Sequence, residues 1–215
     1  MDDFPAHKVY LDAFYIDKTE VTNADYARFV ETTGATKPWH WPKGRIPQGE
    51  ERFPIYNVNW KEADAYCKWE GKRLPTESEW EKASRGGLDR KKFSWGDVDP
   101  GVAAYDEASG PAPTGRPPAN VNSARAAIAV GSFPPNGYGL YDMTGNVWEF
   151  CNDWYDKTYY TISPKRNPQG PATGLYKVVR GGGWSDDDER VFMNHFRNFT
   201  DPDLRASTIG FRCAR

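Results

Sequence analysis

Three stretches of the chain carry apolar residues at helical spacing, and each opens on a capping signal. Thr22-Asn23-Ala24-Asp25 sets an acid three residues after a threonine, so hydroxyl and carboxylate can each satisfy an orphan amide. The helix it opens is expected to bury Tyr26, Phe29 and Val30 and to stop near Gly34. Asn59-Trp60-Lys61-Glu62 repeats the device ahead of Ala63, Tyr66, Cys67 and Trp69, with Gly71 as the stop. Thr76-Glu77-Ser78-Glu79 opens a third helix through Trp80 and Ala83, closed by Gly86-Gly87. Alternation of Val9, Leu11 and Phe14 predicts a strand over 7–16, and short strands are expected over 178–180 and 209–213. Residues 35–58 are rich in Pro and Trp without a period and read as an irregular surface loop. Segments 97–135 and 155–175 read as long loops, where function often resides. There is no internal repeat and no low-complexity segment.

Composition sharpens this into a loop-rich α+β domain. The chain has 215 residues, a size one hydrophobic core can serve, so a single domain over 1–215 is expected. With 20 glycines and 17 prolines, turns should outnumber regular elements. The 9 Trp, 12 Tyr and 11 Phe argue against disorder, and most of Trp60, Trp69, Trp80, Trp95, Trp148, Trp154 and Trp184 are expected in the core. Charge is balanced at 28 basic and 30 acidic residues, which gives no basis for nucleic-acid binding. No apolar run approaches the roughly 18 residues of a membrane helix, so no membrane insertion is expected, and no signal-peptide pattern opens the chain.

Candidate chemistry concentrates in the C-terminal half. Asp142 and Glu149 bracket Thr144-Gly145-Asn146, a glycine-bearing turn that can combine carboxylates with backbone carbonyls, the donor set a hard cation such as Ca²⁺ prefers. A Gly-rich turn with solvated acids is the plainer reading. Asp186-Asp187-Asp188-Glu189 is a run of acids after Arg180-Gly181-Gly182-Gly183-Trp184, favoured as a solvated face over a cation or basic-partner site. His7, His40 and His195 are scattered and read as structural or surface residues. The glycine triplet lacks the Lys-Ser/Thr of a phosphate loop, and no Gly-x-Ser-x-Gly elbow occurs. Cys67, Cys151 and Cys213 fit either one disulfide with one buried thiol or three reduced thiols, and their spacing does not choose.

Several phrases taken in order resemble the formylglycine-generating enzyme (sulfatase-modifying factor) family. They are Tyr15-Ile16-Asp17-Lys18-Thr19-Glu20-Val21-Thr22-Asn23, Gly71-Lys72-Arg73-Leu74-Pro75-Thr76-Glu77-Ser78-Glu79-Trp80-Glu81, Gly137 to Phe150, Arg180-Gly181-Gly182, and Gly210-Phe211-Arg212-Cys213. The resemblance spans nearly the whole chain. It implies a complex α+β fold related to C-type lectins, with little regular secondary structure. It implies a structural calcium held by Asp142, Gly145, Val147 and Glu149, the glycine and valine through their carbonyls. A second family calcium site would begin at Asn120, where the following loop is much shorter. The resemblance also implies a Cys67–Cys213 disulfide, a second family disulfide replaced near Ser84 and Asn194, and a free Cys151 buried between Phe150 and Trp154. A disulfide points to a secreted or periplasmic setting.

The departure is catalytic. The family's thiol pair, which binds copper(I) and activates oxygen, falls at Asp186 and near Glu189 to Val191, and no cysteine lies between Cys151 and Cys213. Carboxylates are hard ligands and do not replace thiolates on copper(I), so no copper and no formylglycine generation by the known route are expected. The favoured reading is a monomeric binding module for a protein, peptide or glycan. Its candidate cleft is formed by Trp184, Asp186, Asp187, Asp188, Glu189, Asn194, His195 and Arg197. A special version is the lectin-like variable protein of a diversity-generating retroelement, with Trp184 to Thr208 as the variable stretch. The alternative is an oxygen-dependent oxidoreductase using a different metal site, which three scattered histidines make hard to assemble.

Overall fold

The computed structural model describes residues 4–97, 127–186 and 188–215. Helices α1 (Asn23–Thr33), α2 (Trp60–Trp69) and α3 (Glu77–Ser84) start directly after Thr22, Asn59 and Thr76. In each, the cap side chain accepts from the amide three residues on, and the acid at that position accepts from the cap amide, at 2.9–3.2 Å. Loss of one such cap costs about 0.5–2 kcal/mol. Two of these acids also fasten distant chain: Glu62 takes Arg205 and Glu79 takes Arg73, each through two contacts of 2.6–2.9 Å. Gly34 closes α1 in the left-handed region at φ +74°, as the sequence predicts.

Four short strands form one sheet in the order β3-β2-β1-β4, with β1 (Trp148–Trp154), β2 (Lys177–Arg180), β3 (Asn198–Thr200) and β4 (Ile209–Gly210). β1 runs antiparallel to β2 and parallel to β4, and β2 runs antiparallel to β3. The register sets Glu149 of β1 opposite Arg180 on one side and Gly210 on the other. Gly210 has to be glycine, since a side chain there would drive into the carbonyl of Ile55. β1 and β3 escape the sequence reading. Trp148, Glu149, Phe150 and Cys151 are buried in succession, because a central strand covered on both faces shows no alternation.

Three expectations are corrected. Residues 7–16 form no regular strand: β-type pairing is limited to single bridges, Tyr10 with Arg166 and Ile16 with Ala214. Its alternation is real, but no continuous partner strand lies alongside. Residues 35–58 are not a surface loop throughout, since Trp41, Ile55 and Val58 are buried and join the main core. Of the seven tryptophans expected inside, Trp80 and Trp148 are buried, Trp60, Trp95, Trp154 and Trp184 are half-buried, and Trp69 is more than one-third exposed, packing on Phe29 and Tyr66.

The main core joins α1 and α2 to the sheet. Tyr26 stacks on Tyr66 at 5.7 Å between centroids, and Phe29 meets Tyr66 edge-on. A second cluster of Trp80, Ala83, Leu140, Met143, Cys151 and Val178 lies between α3 and the sheet. Cys67 of α2 is bonded to Cys213, their Cα atoms 5.6 Å apart. Cys151 is a free, buried thiol whose pKa is raised well above the ordinary value by burial and then by Asp153. Among the described residues, no helix is long and apolar enough to cross a membrane.

Candidate functional site

The loop preceding β1 is set by backbone conformation. Asp142, Gly145 and Asn146 lie at φ +56°, +86° and +61°. Gly145 N donates to Gly181 O at 2.8 Å, and Asn146 O accepts from Trp184 N at 2.8 Å, which fastens the loop to the segment after β2. Asp142 is buried; its Oδ2 accepts from Gly131 N at 2.7 Å, whereas its Oδ1 has no partner. Glu149 is fully buried. Its Oε1 accepts from Arg212 Nη2 and its Oε2 from Arg212 Nε, both at 2.7 Å, and Trp80 Nε1 donates to Oε2 at 2.8 Å.

A third carboxylate belongs to this region and was not singled out from the sequence. Glu20 is 1% exposed; its carboxyl lies within hydrogen-bonding reach of Asp142, and neither oxygen meets any other donor. Burial raises its pKa well above the carboxylate range; Asp142 adds to the shift and Arg212 opposes it. Asp142 is likewise raised by burial, against the Gly131 amide and Arg212. Glu20 stands inside the quoted Glu-Val-Thr-Asn phrase, but nothing in its spacing distinguishes it from a cap-flanking acid. Orphaned, buried, hard oxygens are the chemistry calcium takes, so these residues fit the ion the resemblance implies. Among the described residues no three or more His, Cys, Asp or Glu side chains converge as a metal cluster, so carbonyls would have to complete any such site. Asn120 lies outside the described residues.

The eight residues of the candidate cleft separate into different settings. Asp186 Oδ2 accepts from Trp148 Nε1 at 2.8 Å and from Gly183 N at 2.7 Å, so the carboxylate is held by the sheet and its own turn. Trp184 is half-buried and donates from Nε1 to Ser207 O at 3.0 Å. Asp188 is exposed and pairs with Arg190. Glu189 opens a short 3₁₀ turn, and Glu189 and His195 are both half-buried. The placement of Asp187 lies outside the described residues.

Asn194 and Arg197 face inward. Asn194 is buried; its Oδ1 accepts from Ser84 Oγ at 2.5 Å and its Nδ2 donates to Lys91 O at 3.2 Å. A polar bridge therefore joins the two positions at which the resemblance implied a lost disulfide. Arg197 donates from Nε and Nη2 to Glu77 at 2.7 and 2.8 Å, under the ring of Tyr160. Arg180 joins the same carboxylate at 2.9 Å and reaches Glu81 at 2.9 Å. Two surface clefts, of about 290 and 250 Å³, lie elsewhere, along Asp12, Ala13 and Phe14, and none of the eight residues lines either.

Three comparisons place this geometry. Residues 1–215 match the family described as sulfatase-modifying factor enzyme 1-like domain. The chain is 38% identical to the formylglycine-generating enzyme of Streptomyces coelicolor, over 98% of this chain and 80% of that protein. It is also 38% identical to the serine/threonine-protein kinase pkn1 of Chlamydia pneumoniae, of which it spans only 35%. A mouse protein named inactive C-alpha-formylglycine-generating enzyme 2 is 33% identical over 98% of this chain and 77% of its own length. Among solved structures, PvdO from Pseudomonas aeruginosa superposes with a TM-score of 0.81 at 27% identity, covering 100% of this chain and 85% of that one. Treponema denticola variable protein 1 gives 0.76 at 27% identity, covering 96% and 85%.

Proposed function

The chain belongs to the sulfatase-modifying factor family, and from that premise we propose that it is a catalytically silent binding module of that fold, stabilised by a structural calcium. The observation that carries this reading is Asp186. It stands where the family's first copper thiolate is expected, and its carboxylate is engaged by Trp148 and Gly183. A hard, already bonded carboxylate has no affinity for copper(I). The remaining free thiol, Cys151, is sealed in the second core cluster. The mouse relative named inactive and the variable protein of Treponema denticola support a scaffold that has been kept while its chemistry has changed.

The ligand is a protein, peptide or glycan, recognised on the surface between Trp184 and Thr208, and the module acts as a monomer in a secreted or periplasmic setting that preserves the Cys67–Cys213 bond. The calcium loop is the Asp142–Glu149 segment, with Asp142 and the carbonyls of Gly145 and Val147 facing the ion and Glu149 at its end. Elemental analysis of protein purified without chelators or metal-affinity steps tests both halves. About one equivalent of calcium with neither copper nor iron is expected. Stoichiometric copper or iron, or oxygen-dependent conversion of a cysteine peptide to an aldehyde, would overturn the silent-module reading.

A further inference from the structure

We infer that Glu20 supplies the second carboxylate of the calcium site, and that Glu149 serves instead as the counter-ion of Arg212. This rests on the calcium reading of the Asp142 loop and deepens it. The positions follow from backbone pairing: Tyr141 N donates to Lys18 O at 2.8 Å, and Val21 N donates to Phe211 O at 2.9 Å. Those two bonds clamp the 18–21 segment between the residue before Asp142 and the residue before Arg212. Glu20 is thereby pinned, buried, beside the Asp142 carboxylate.

Hydrogen-bond accounting divides the three acids. Glu149 accepts three charge-assisted or indole bonds, two from Arg212 and one from Trp80, so its oxygens are used. Glu20 offers two buried oxygens and Asp142 one, which meet each other across the carboxyl pair and no other donor. Buried carboxylate oxygens lacking both donors and countercharge are strongly unfavourable. Charge gives the same division. Glu20, Asp142 and Glu149 face a single guanidinium, Arg212, and its bidentate pair with Glu149 is internally neutral. When both are ionised, the two remaining carboxylates carry the charge that one divalent cation balances. With the carbonyls of Gly145 and Val147 and a water or two, they approach the ~6–8 oxygens that calcium takes.

The test is a calcium titration of chelator-stripped protein, read by thermal melting and by calorimetry, on wild type, Glu20→Gln, Glu20→Asp, Asp142→Asn and Glu149→Gln. At calcium near 100 times Kd, the wild-type Tm should rise by roughly 5–10 °C. Glu20→Gln and Asp142→Asn should both lose most of that increment, and Glu20→Asp, a milder change if the glutamine variant folds poorly, should weaken calcium affinity at least about tenfold. Glu149→Gln should melt lower at baseline, because Arg212 loses its counter-ion, yet keep the calcium increment. Full calcium response in Glu20→Gln with loss in Glu149→Gln would sink the assignment of Glu20 and leave the calcium loop standing. A wild-type melt that ignores calcium would instead remove the calcium reading itself, and the ligand role of Glu20 with it.

Discussion

Glu77 is the residue on which the interior electrostatics of this fold turn. Its Oε1 accepts from Arg180 Nη1 at 2.9 Å and Arg197 Nε at 2.7 Å, and its Oε2 accepts from Arg197 Nη2 at 2.8 Å. The side chains of Glu77, Arg180 and Arg197 are 3%, 0% and 1% exposed, so solvent screens none of these contacts. Glu81 is the other carboxylate on Arg180; burial opposes its ionisation, but Arg180 and Arg85 outweigh that and hold its pKa low. Three guanidiniums, Arg180, Arg197 and Arg85, thus share the two carboxylates Glu77 and Glu81. Glu77→Gln keeps the shape and removes the negative charge that Arg180 and Arg197 share. Breaking one side of a buried pair costs about 3–5 kcal/mol. For a domain of this length that corresponds to a Tm lower by roughly 6–20 °C. The assay is urea and thermal unfolding of both proteins at pH 7, with Asp188→Ala as control. The Asp188–Arg190 pair is about half exposed on each side, so its loss should cost no more than about 1 kcal/mol. A Glu77→Gln protein within about 1 kcal/mol of wild type, or no worse than the control, would refute the premise that this network is truly buried and mutually dependent.

Other consequences can be checked alongside. Burial, and then Glu77, push the Asp153 carboxyl up to about 7, well above the ordinary carboxylate value. The native state therefore binds the extra proton between about pH 4 and 7, and stability contributed by Asp153 declines as pH rises through that window. Asp153→Asn should flatten that part of the stability profile relative to wild type, and parallel profiles would count against the shift. Replacing Cys67 and Cys213 by serine opens a loop with a sequence separation of 146 and should lower stability by about 2–5 kcal/mol in denaturant unfolding. Asn194→Ala leaves the Ser84 hydroxyl and the Lys91 carbonyl without their partner and should cost about 1–3 kcal/mol, whereas an unchanged midpoint would mean water replaces the bridge.

What could be read from the chain is the local chemistry, and what could not is the pairing between distant segments. The three capping boxes are encoded within four residues each, and all three appear with their reciprocal bonds. β1 was invisible because its sheet neighbours, β2 and β4, arrive 23 or more residues later in the chain, and because core clusters bury both its faces, so no polar alternation marks it. The strand expected over 7–16 failed for the converse reason: alternation was present, but only isolated partner residues lie beside it. Arg197 looked like a cleft residue from its place near His195, and only the fold reveals that it reaches back to Glu77 on α3. Glu20 illustrates the same limit. Its two unpaired oxygens exist only once the segments carrying Asp142 and Arg212 have closed around it.

The frame around Asp186 keeps its shape independently of the chemistry at that position. The turn after β2 is held by bonds that do not involve residue 186: Gly145 N to Gly181 O, and Trp184 N to Asn146 O, each 2.8 Å. Gly182 at φ +76° passes so close to Phe192 that a side chain would collide with its ring, and this fixes the turn by packing. Position 186 is therefore presented by the scaffold rather than creating it. The carboxylate here folds back to take the Trp148 indole and the Gly183 amide, which adds one more internal tie. The same logic applies at Ser84 and Asn194, where a hydrogen bond joins positions that a disulfide would otherwise join. At both sites oxygen atoms join segments already fixed by their neighbours, and with Asn194 and Arg197 turned inward the stretch after Trp184 is anchored to the core rather than lying wholly on the surface.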